Sequence, residues 1–402
     1  MFSFLNKKNI FLDYASATPL SKKAQKQMQK YFIKKFFNPS AIYTEGLKIH
    51  SEKEKIRERI AKMLHARAQE IIFTDGASEA NNLVIQGLIE EWNKSHKTKA
   101  HILSSALDHP SVRSLCKELD AKGKIDWEEI LINEDGMLSL NDLKKKIKAH
   151  TLLVSVPLVN GEIGTKQDIK EIAKLIRHHR KKLGTLFPYL HTDASQAGLF
   201  PIDLQKLGID FLVLSAGKIY GPKKMALLYR KNKHTLSPIL FGGAQEFSLR
   251  PGTENIPYIV AFNEALKENE KKREKEYLRL SKLQKIFEEE LKKTIPLKFI
   301  INGEKAVRSP HITSISIEKL NHEEILHRLD AKGIKIGMQS ACNKDKGENS
   351  QLLSQMRNEL TQSIRFSFGR DTQKRDLIFT AKILGQIVQN MGDTFHKFLK
   401  QK

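Results

Sequence analysis

The chain has 402 residues, 40% of them hydrophobic and 29% charged, which supports a sizeable core in about two domains and excludes large-scale disorder. Its formal net charge is +23, but the lysines are scattered over many helical patterns with no accompanying arginine and aromatic motif, so the charge reads as solvated surface and nucleic acid is not an expected partner. No run of about eighteen apolar residues occurs and lysine soon interrupts the opening MFSFLNKKNIFLDY, which argues against a membrane span or secretory signal and makes the cytoplasm the expected location.

In chain order, short β-rich runs alternate with helical patterns between about residues 70 and 230. EIIFT is followed by SEANNLVIQGLIEEW, then HILSS, TLLVSV, DIKEIAKLIRHHRKKL, YLHTDA, FLVLSA and ALLYR. This alternation predicts an α/β fold with a mostly parallel sheet, in which ligands sit beyond the carboxyl ends of the strands. Lys267 to Lys293 mixes both charges with leucines at helical spacing and reads as a long connecting helix. ITSISI and SIRFSFG, among helices, predict a smaller α+β domain.

The unusual residues fall just after the strands. Lys218 follows FLVLSA in a Ser-Ala-Gly-Lys turn, and Asp193 ends YLHTDA. A lysine amine and a carboxylate able to keep a pyridine nitrogen protonated suggest pyridoxal phosphate chemistry. After EIIFT, Gly76 permits a tight turn, and Ala77 and Ser78 open a helix with Ser78 as the expected cap, a suitable phosphate site. His109, in a turn with Pro110 starting a helix, can stack on a flat cofactor or move protons. Asn160, Glu162 and Gln196 add polar groups to the same rim. The two cysteines, Cys116 and Cys342, lack histidine or cysteine neighbours at metal spacing, so neither zinc nor a disulfide framework is expected.

FLDYASATPL, FFNPSAIY, IIFTDGASEANNL, DHP, VNGEIGT, HTDASQAG, SAGKIYGPK, FGGAQEFSLRPGTENIP, SACN and SIRFSFGR occur in an order that resembles the cysteine desulfurase family, class V enzymes of the fold-type I pyridoxal phosphate group. The resemblance implies a homodimer with a mostly parallel, seven-stranded-type sheet in a large domain, residues 15–262, and a small domain formed by residues 1–14 and 263–402. It implies that Lys218 attaches the cofactor, Asp193 meets the pyridine nitrogen, His109 stacks on the ring and Gln196 contacts its hydroxyl. Asn160 would also touch the cofactor. Ala77, Ser78 and Ser215 would hold the phosphate, with Thr253 reaching over from the partner subunit. Arg365 and Asn38 would bind the substrate carboxylate.

Cys342 matches the family's nucleophile. The implied reaction converts L-cysteine to L-alanine and leaves a persulfide on Cys342 for a protein acceptor or scaffold, for iron-sulfur cluster assembly or transfer RNA thiolation. Cys116, inside a helical pattern, is expected to be structural. Selenocysteine lyase and class V aminotransferase are the alternatives on the same scaffold, and a noncatalytic RNA- or scaffold-binding protein with a degraded cofactor pocket is the alternative of another class. The chain departs from the family pattern in having Gly161 where a second asparagine is usual, Gly217 where a histidine precedes the lysine, and Ser78 for threonine, with Tyr14 and Phe247-Ser248 also unusual.

Overall fold

The computed structural model describes residues 9–232, 234–318, 320–338, 350–356 and 361–400, with side chains through residue 393. Among these residues twelve strands form: β1 (Ile10–Leu12), β2 (Ile71–Thr74), β3 (Ala100–Ser105), β4 (Ile125–Ile130), β5 (Thr151–Ser155), β6 (Tyr189–Asp193), β7 (Phe211–Ser215), β8 (Ala226–Arg230), β9 (Phe299–Ile301), β10 (Ile312–Ile317), β11 (Ile334–Met338) and β12 (Ile364–Ser367). The larger sheet has the order β2-β8-β7-β6-β5-β3-β4 and is parallel except for β8, which runs against both neighbours. The expected mostly parallel, seven-stranded sheet is therefore present.

The helices that bear on the site are α1 (Lys22–Ile33), α2 (Thr44–Met63), α3 (Ala77–Ser95), α4 (Pro110–Ala121), α5 (Ile169–Leu183), α6 (Ile256–Thr294) and α7 (Lys374–Lys400). Side chains alternate across each strand, so one strand feeds two cores. In β7, Leu212 and Leu214 pack with Ile172 and Ile176 of α5, whereas Phe211 and Val213 pack with Leu83 and Val84 of α3 and Val112 of α4. Burial on both faces explains why β2 and β5 read as unbroken runs with every residue buried. Cys116 is buried on α4 in this second core, as expected, and burial pushes its thiol pKa up.

The smaller sheet has the order β1-β11-β12-β10-β9, with β1 parallel to β11 and the other pairs antiparallel. Its core contains Phe287, Phe366, Phe368 and Leu384. The expected connector is α6, which starts earlier than the charge pattern suggests: Asn255 caps it through a 3.2 Å bond from the Tyr258 amide, and Pro257 sits in the first turn. Ile259 and Phe262 of α6 pack into the large-sheet core, while Leu283 and Phe287 pack into the small-sheet core. The charged middle of the helix spans the distance between them. None of the described helices is long and apolar enough to cross a membrane.

Candidate active site

The segments following β2, β3, β5, β6 and β7 carry the expected residues at the carboxyl edge of the large sheet. After β2, helix α3 begins at Ala77 and its N-cap is Gly76, at φ 149° and ψ 165°. The expectation that Ser78 caps the helix is corrected. The turn needs a backbone conformation that side chains rarely adopt, so glycine takes the cap position and the Ser78 hydroxyl falls inside the first turn. The first amides, of Ala77 and Ser78, have no acceptor within the helix and lie at its positive end.

After β3, His109 is the N-cap of α4. Its Nδ1 accepts from the Ser111 amide at 3.1 Å and lies 2.8 Å from the Ser111 hydroxyl. The surrounding loops desolvate the ring and lower its pKa; Lys218 acts in the same direction and Asp193 opposes it. The preceding Asp108 is buried and accepts from the Ser105 amide at 2.9 Å and the Ser155 hydroxyl at 2.9 Å. Burial raises its pKa to about 6 despite those donors.

Asn160, after β5, is buried and occupied with its own loop: its amide donates to Leu107 O at 2.9 Å, and its oxygen accepts from the amides of Glu162 and Ile163 at 2.9 and 2.8 Å. It holds the rim in shape. Glu162 accepts from the Ser350 hydroxyl at 2.7 Å, and burial raises its pKa. At the end of β6, Asp193 accepts from the Ser195 amide at 2.9 Å and from Asn81 Nδ2 at 3.0 Å. Among the described residues, this buried carboxylate has no ion-pair partner.

Lys218 and Gln196 meet at the segment that follows β1. Lys218 Nζ donates to the carbonyls of Ala15 and Ser16 at 2.7 and 2.6 Å, and Gln196 Nε2 donates to Ala15 O at 2.9 Å. Arg365, on β12, reaches the same segment: Nη2 donates to Asp13 Oδ1 at 2.8 Å and to Ser16 Oγ at 2.7 Å, and Nη1 to Gly161 O at 2.8 Å. Among the described residues its buried Nε has no hydrogen-bond partner. A small cavity of about 50 Å³ opens beside this junction, lined by Lys218, Gln196, Tyr14, Tyr220, His311 and Arg370. His109 and Asp193 do not line it; Asp193 is bonded to Asn81 of α3 and His109 caps α4.

Asn38 is exposed, and its side chain accepts from the Ser40 amide at 2.8 Å in a local turn; Thr253 is also exposed. No hydrogen bond joins either to the other expected site residues among those described. Ser215 ends β7 and precedes the turn bearing Lys218. Cys342 lies outside the described residues.

Sequence reasoning assigned no role to Asp13, Ser16, Asn81, Ser111 or His311. Asp13 and Ser16 lie inside the quoted FLDYASATPL, but it is the pairing of β1 with β11, of β11 with β12 and of Asp13 itself with Ser367 of β12 that brings them to Arg365. His311 Nε2 lies 3.3 Å from Gln196 Oε1, and burial lowers its pKa to about 3.

Residues 10–378 match the family model described as aminotransferase class V. The chain is 34% identical over 389 residues to the cysteine desulfurase IscS of Dictyoglomus turgidum, covering 96% of each. Among solved structures, a NifS-like protein superposes with a TM-score of 0.86 at 25% identity, over 95% of this chain and 100% of that one. SspA in complex with cysteine superposes with a TM-score of 0.76 at 28% identity, over 90% of this chain and 99% of that one.

Proposed function

We propose that this chain, which belongs to the cysteine desulfurase family of class V aminotransferases, takes sulfur from L-cysteine with pyridoxal phosphate as cofactor, releases L-alanine and holds the sulfur as a persulfide on Cys342. The observation that carries this reading is the anchoring of the Lys218 amine and the Arg365 guanidinium on one four-residue segment, Asp13 to Ser16. An amino acid carries its amine and carboxylate on one carbon. A lysine for cofactor attachment and a planar guanidinium for carboxylate recognition are wanted that close together.

The residues fit the cofactor. Asp193 is a buried carboxylate with two neutral donors and no ion-pair partner among the described residues, an arrangement that is costly unless a cation such as a protonated pyridine nitrogen completes it. The free amides of Ala77 and Ser78 and the hydroxyl of Ser215 suit its phosphate. Gln196 and His109 would face its ring, with Asn160 shaping the loop beside it. When bound, pyridoxal phosphate supplies an electron sink for bonds at the substrate's α-carbon.

The protein's own residues then divide the work. Arg365 orients the substrate carboxylate, helped by Asn38. Lys218 and His109 hold and move protons, Lys218 at Nζ. The Cys342 thiolate forms an S–S bond to the substrate sulfur as the Cβ–S bond breaks; that bond's electron pair stays with carbon, which takes up protons to become alanine, so no external oxidant is needed. A protein acceptor or scaffold would receive the persulfide for iron-sulfur cluster assembly or transfer RNA thiolation.

Residues 15–262 form the cofactor-binding domain in this reading, and residues 1–14 and 263–402 the small one. A second copy of the chain completes the site, with Thr253 reaching the partner's phosphate. Exposure of Phe36, Ile42, Tyr43 and Leu47, 50% or more in each, supports such a partner.

The test is to give L-cysteine and a reductant to the cofactor-loaded protein and quantify alanine and sulfide together. Equal amounts, lost in Cys342→Ala, are expected. Turnover unchanged by that substitution would favour amino-group transfer instead.

A further inference from the structure

Three hydrogen bonds run from His109 to Asp193 through two side chains that the proposed reaction does not use. Ser111 Oγ lies 2.8 Å from His109 Nδ1, Asn81 Nδ2 donates to Ser111 Oγ at 2.8 Å, and the same Nδ2 donates to Asp193 Oδ2 at 3.0 Å. Asn81 stands on α3, Ser111 in the first turn of α4 and Asp193 at the end of β6. The chain of contacts therefore ties together three elements that converge at the carboxyl edge of the sheet.

The donors fix the direction of the bonds. The Ser111 backbone N–H can only donate, and its acceptor is His109 Nδ1 at 3.1 Å. Nδ1 must then carry a lone pair, which places the proton of the neutral ring on Nε2. The Ser111 hydroxyl accepts from Asn81, so its single proton is also free to point at Nδ1. Asn81 is fully buried, and among the described residues its own oxygen has no hydrogen-bond partner. Buried amide oxygens are normally satisfied, so the orientation of this amide is set by its two donor bonds and not by its own stability.

We propose that Asn81 and Ser111 are positioning residues that couple His109 to Asp193 and hold the imidazole in its Nε2–H tautomer. The inference rests on the reading of His109 and Asp193 as cofactor-facing residues, but its geometry belongs to the chain alone. His109 then presents an N–H donor to the crevice, and a proton arriving at Nδ1 must displace the Ser111 amide and turn the Ser111 hydroxyl from donor to acceptor. Donors aimed at the lone pair stabilise the neutral ring and oppose its charging. The charged groups that face the ring are Asp193 from β6 and Lys218 from the turn after β7, and neither is altered by a change at Ser111.

The experiment reads the tautomer and titration of His109 directly. Histidine-labelled protein, with the His109 signals assigned by His109→Gln, is followed by nitrogen-15 NMR from pH 5 to 9, without cofactor and with added pyridoxal phosphate. Wild type should show the Nε2–H form at high pH. Ser111→Ala keeps the backbone N–H but removes the hydroxyl donor, so it should weaken that bias and raise the His109 midpoint by about half to one pH unit, while Ser111→Thr, which keeps both donors, should restore the wild-type values. Asn81→Leu should also relax the tautomer, with a circular dichroism spectrum matching wild type as the check on folding. An Nδ1–H tautomer in wild type, or a midpoint and tautomer unmoved in both Ser111→Ala and Asn81→Leu, overturns the proposal. Because the readout needs no turnover, the expected NMR result in a protein that makes no alanine from cysteine would leave the network standing and remove the desulfurase reading.

Discussion

Arg365 donates to Asp13 at 2.8 Å across 352 residues of sequence, and Gly337 makes that approach possible: a Cβ there would lie 2.6 Å from Asp13 Oδ1 and 2.7 Å from Arg365 Nη2. The pair is partly buried, and Arg365 also uses Ser16 and the Gly161 carbonyl. Asp13 thus neutralises the guanidinium in the resting protein while its Nε has no partner among the described residues. Replacing Arg365 by lysine keeps the charge but not the planar fork, so kcat/KM for L-cysteine should fall about 100-fold, most of it as a higher KM. Steady-state alanine release measures this. An unchanged KM in Arg365→Lys would remove Arg365 from carboxylate recognition.

Gly337→Ala should act at the same pair without touching substrate. The added methyl would press on Asp13 Oδ1 at 2.6 Å and on Arg365 Nη2 and Nε at 2.7 and 3.1 Å, so the pair must separate. We expect a higher KM for cysteine and a lower melting temperature, by a few degrees for about 1 to 3 kcal/mol of overpacking. Wild-type values for both would show that the pair can open at no cost.

Asp193→Asn preserves size and leaves the Ser195 amide and Asn81 to be accommodated by an amide. It removes the negative charge proposed to meet the pyridine nitrogen. Cofactor retained after gel filtration should fall at least tenfold, and the visible absorption of the loaded protein should change. A variant that keeps cofactor and spectrum would place the ring elsewhere.

Gly217 offers the opposite kind of test, a gain. A Cβ there would meet Lys223 Cα at 3.6 Å and Pro222 O at 3.9 Å, which are ordinary contacts, whereas at Gly161 it would press on the Gln196 side chain at 3.4 Å. A histidine at 217, the residue usual in the family, therefore starts from a Cβ that meets no clash. Gly217→His should tighten cofactor binding up to about tenfold through one added hydrogen bond, measured by equilibrium titration. Equal or weaker binding would mean that the Ser-Ala-Gly-Lys turn already satisfies the phosphate.

The large sheet was legible because its strands are buried on both faces and punctuated by small and turn-forming residues. β4 was not: IDWEEI is an edge strand whose two glutamates are half-buried in ion pairs with Lys148 and Arg113, so no apolar run announces it. Lys218, Asp193 and His109 could be singled out as candidates because each lies at the end of a strand or within a few residues after one. Asp13, Ser16, Asn81 and Ser111 could not, since their partners are set by how β1 joins the small sheet and how α3 and α4 pack, and neither is a local property of sequence. The helix cap failed for a local reason of its own: Gly76 at positive φ takes the place in which a serine was expected.

The buried histidines predict how stability depends on pH. His101 and His191 are fully buried, and desolvation, the leading cause in both, lowers their pKa values to about 4. Their folded forms stay neutral while the unfolded chain takes up protons near pH 6.5, so each favours unfolding as pH falls from about 6.5 to about 4, by at most about 1.4 kcal/mol per pH unit. Asp108 opposes them: with its folded pKa raised to about 6, the folded state binds its proton before the unfolded state does, and stability is gained from about pH 6 downward. Taken together, the three groups predict a loss on the order of 3 kcal/mol between pH 7 and pH 5. His311, shifted in the same direction as the other histidines, adds to the loss. Urea unfolding at the two pH values measures the difference. His101→Gln, which can keep the bond to Thr151 that His101 makes at 2.8 Å, should recover a substantial part of it. Equal stability at pH 7 and pH 5, or no recovery in this variant, would show that these rings are charged in the folded protein.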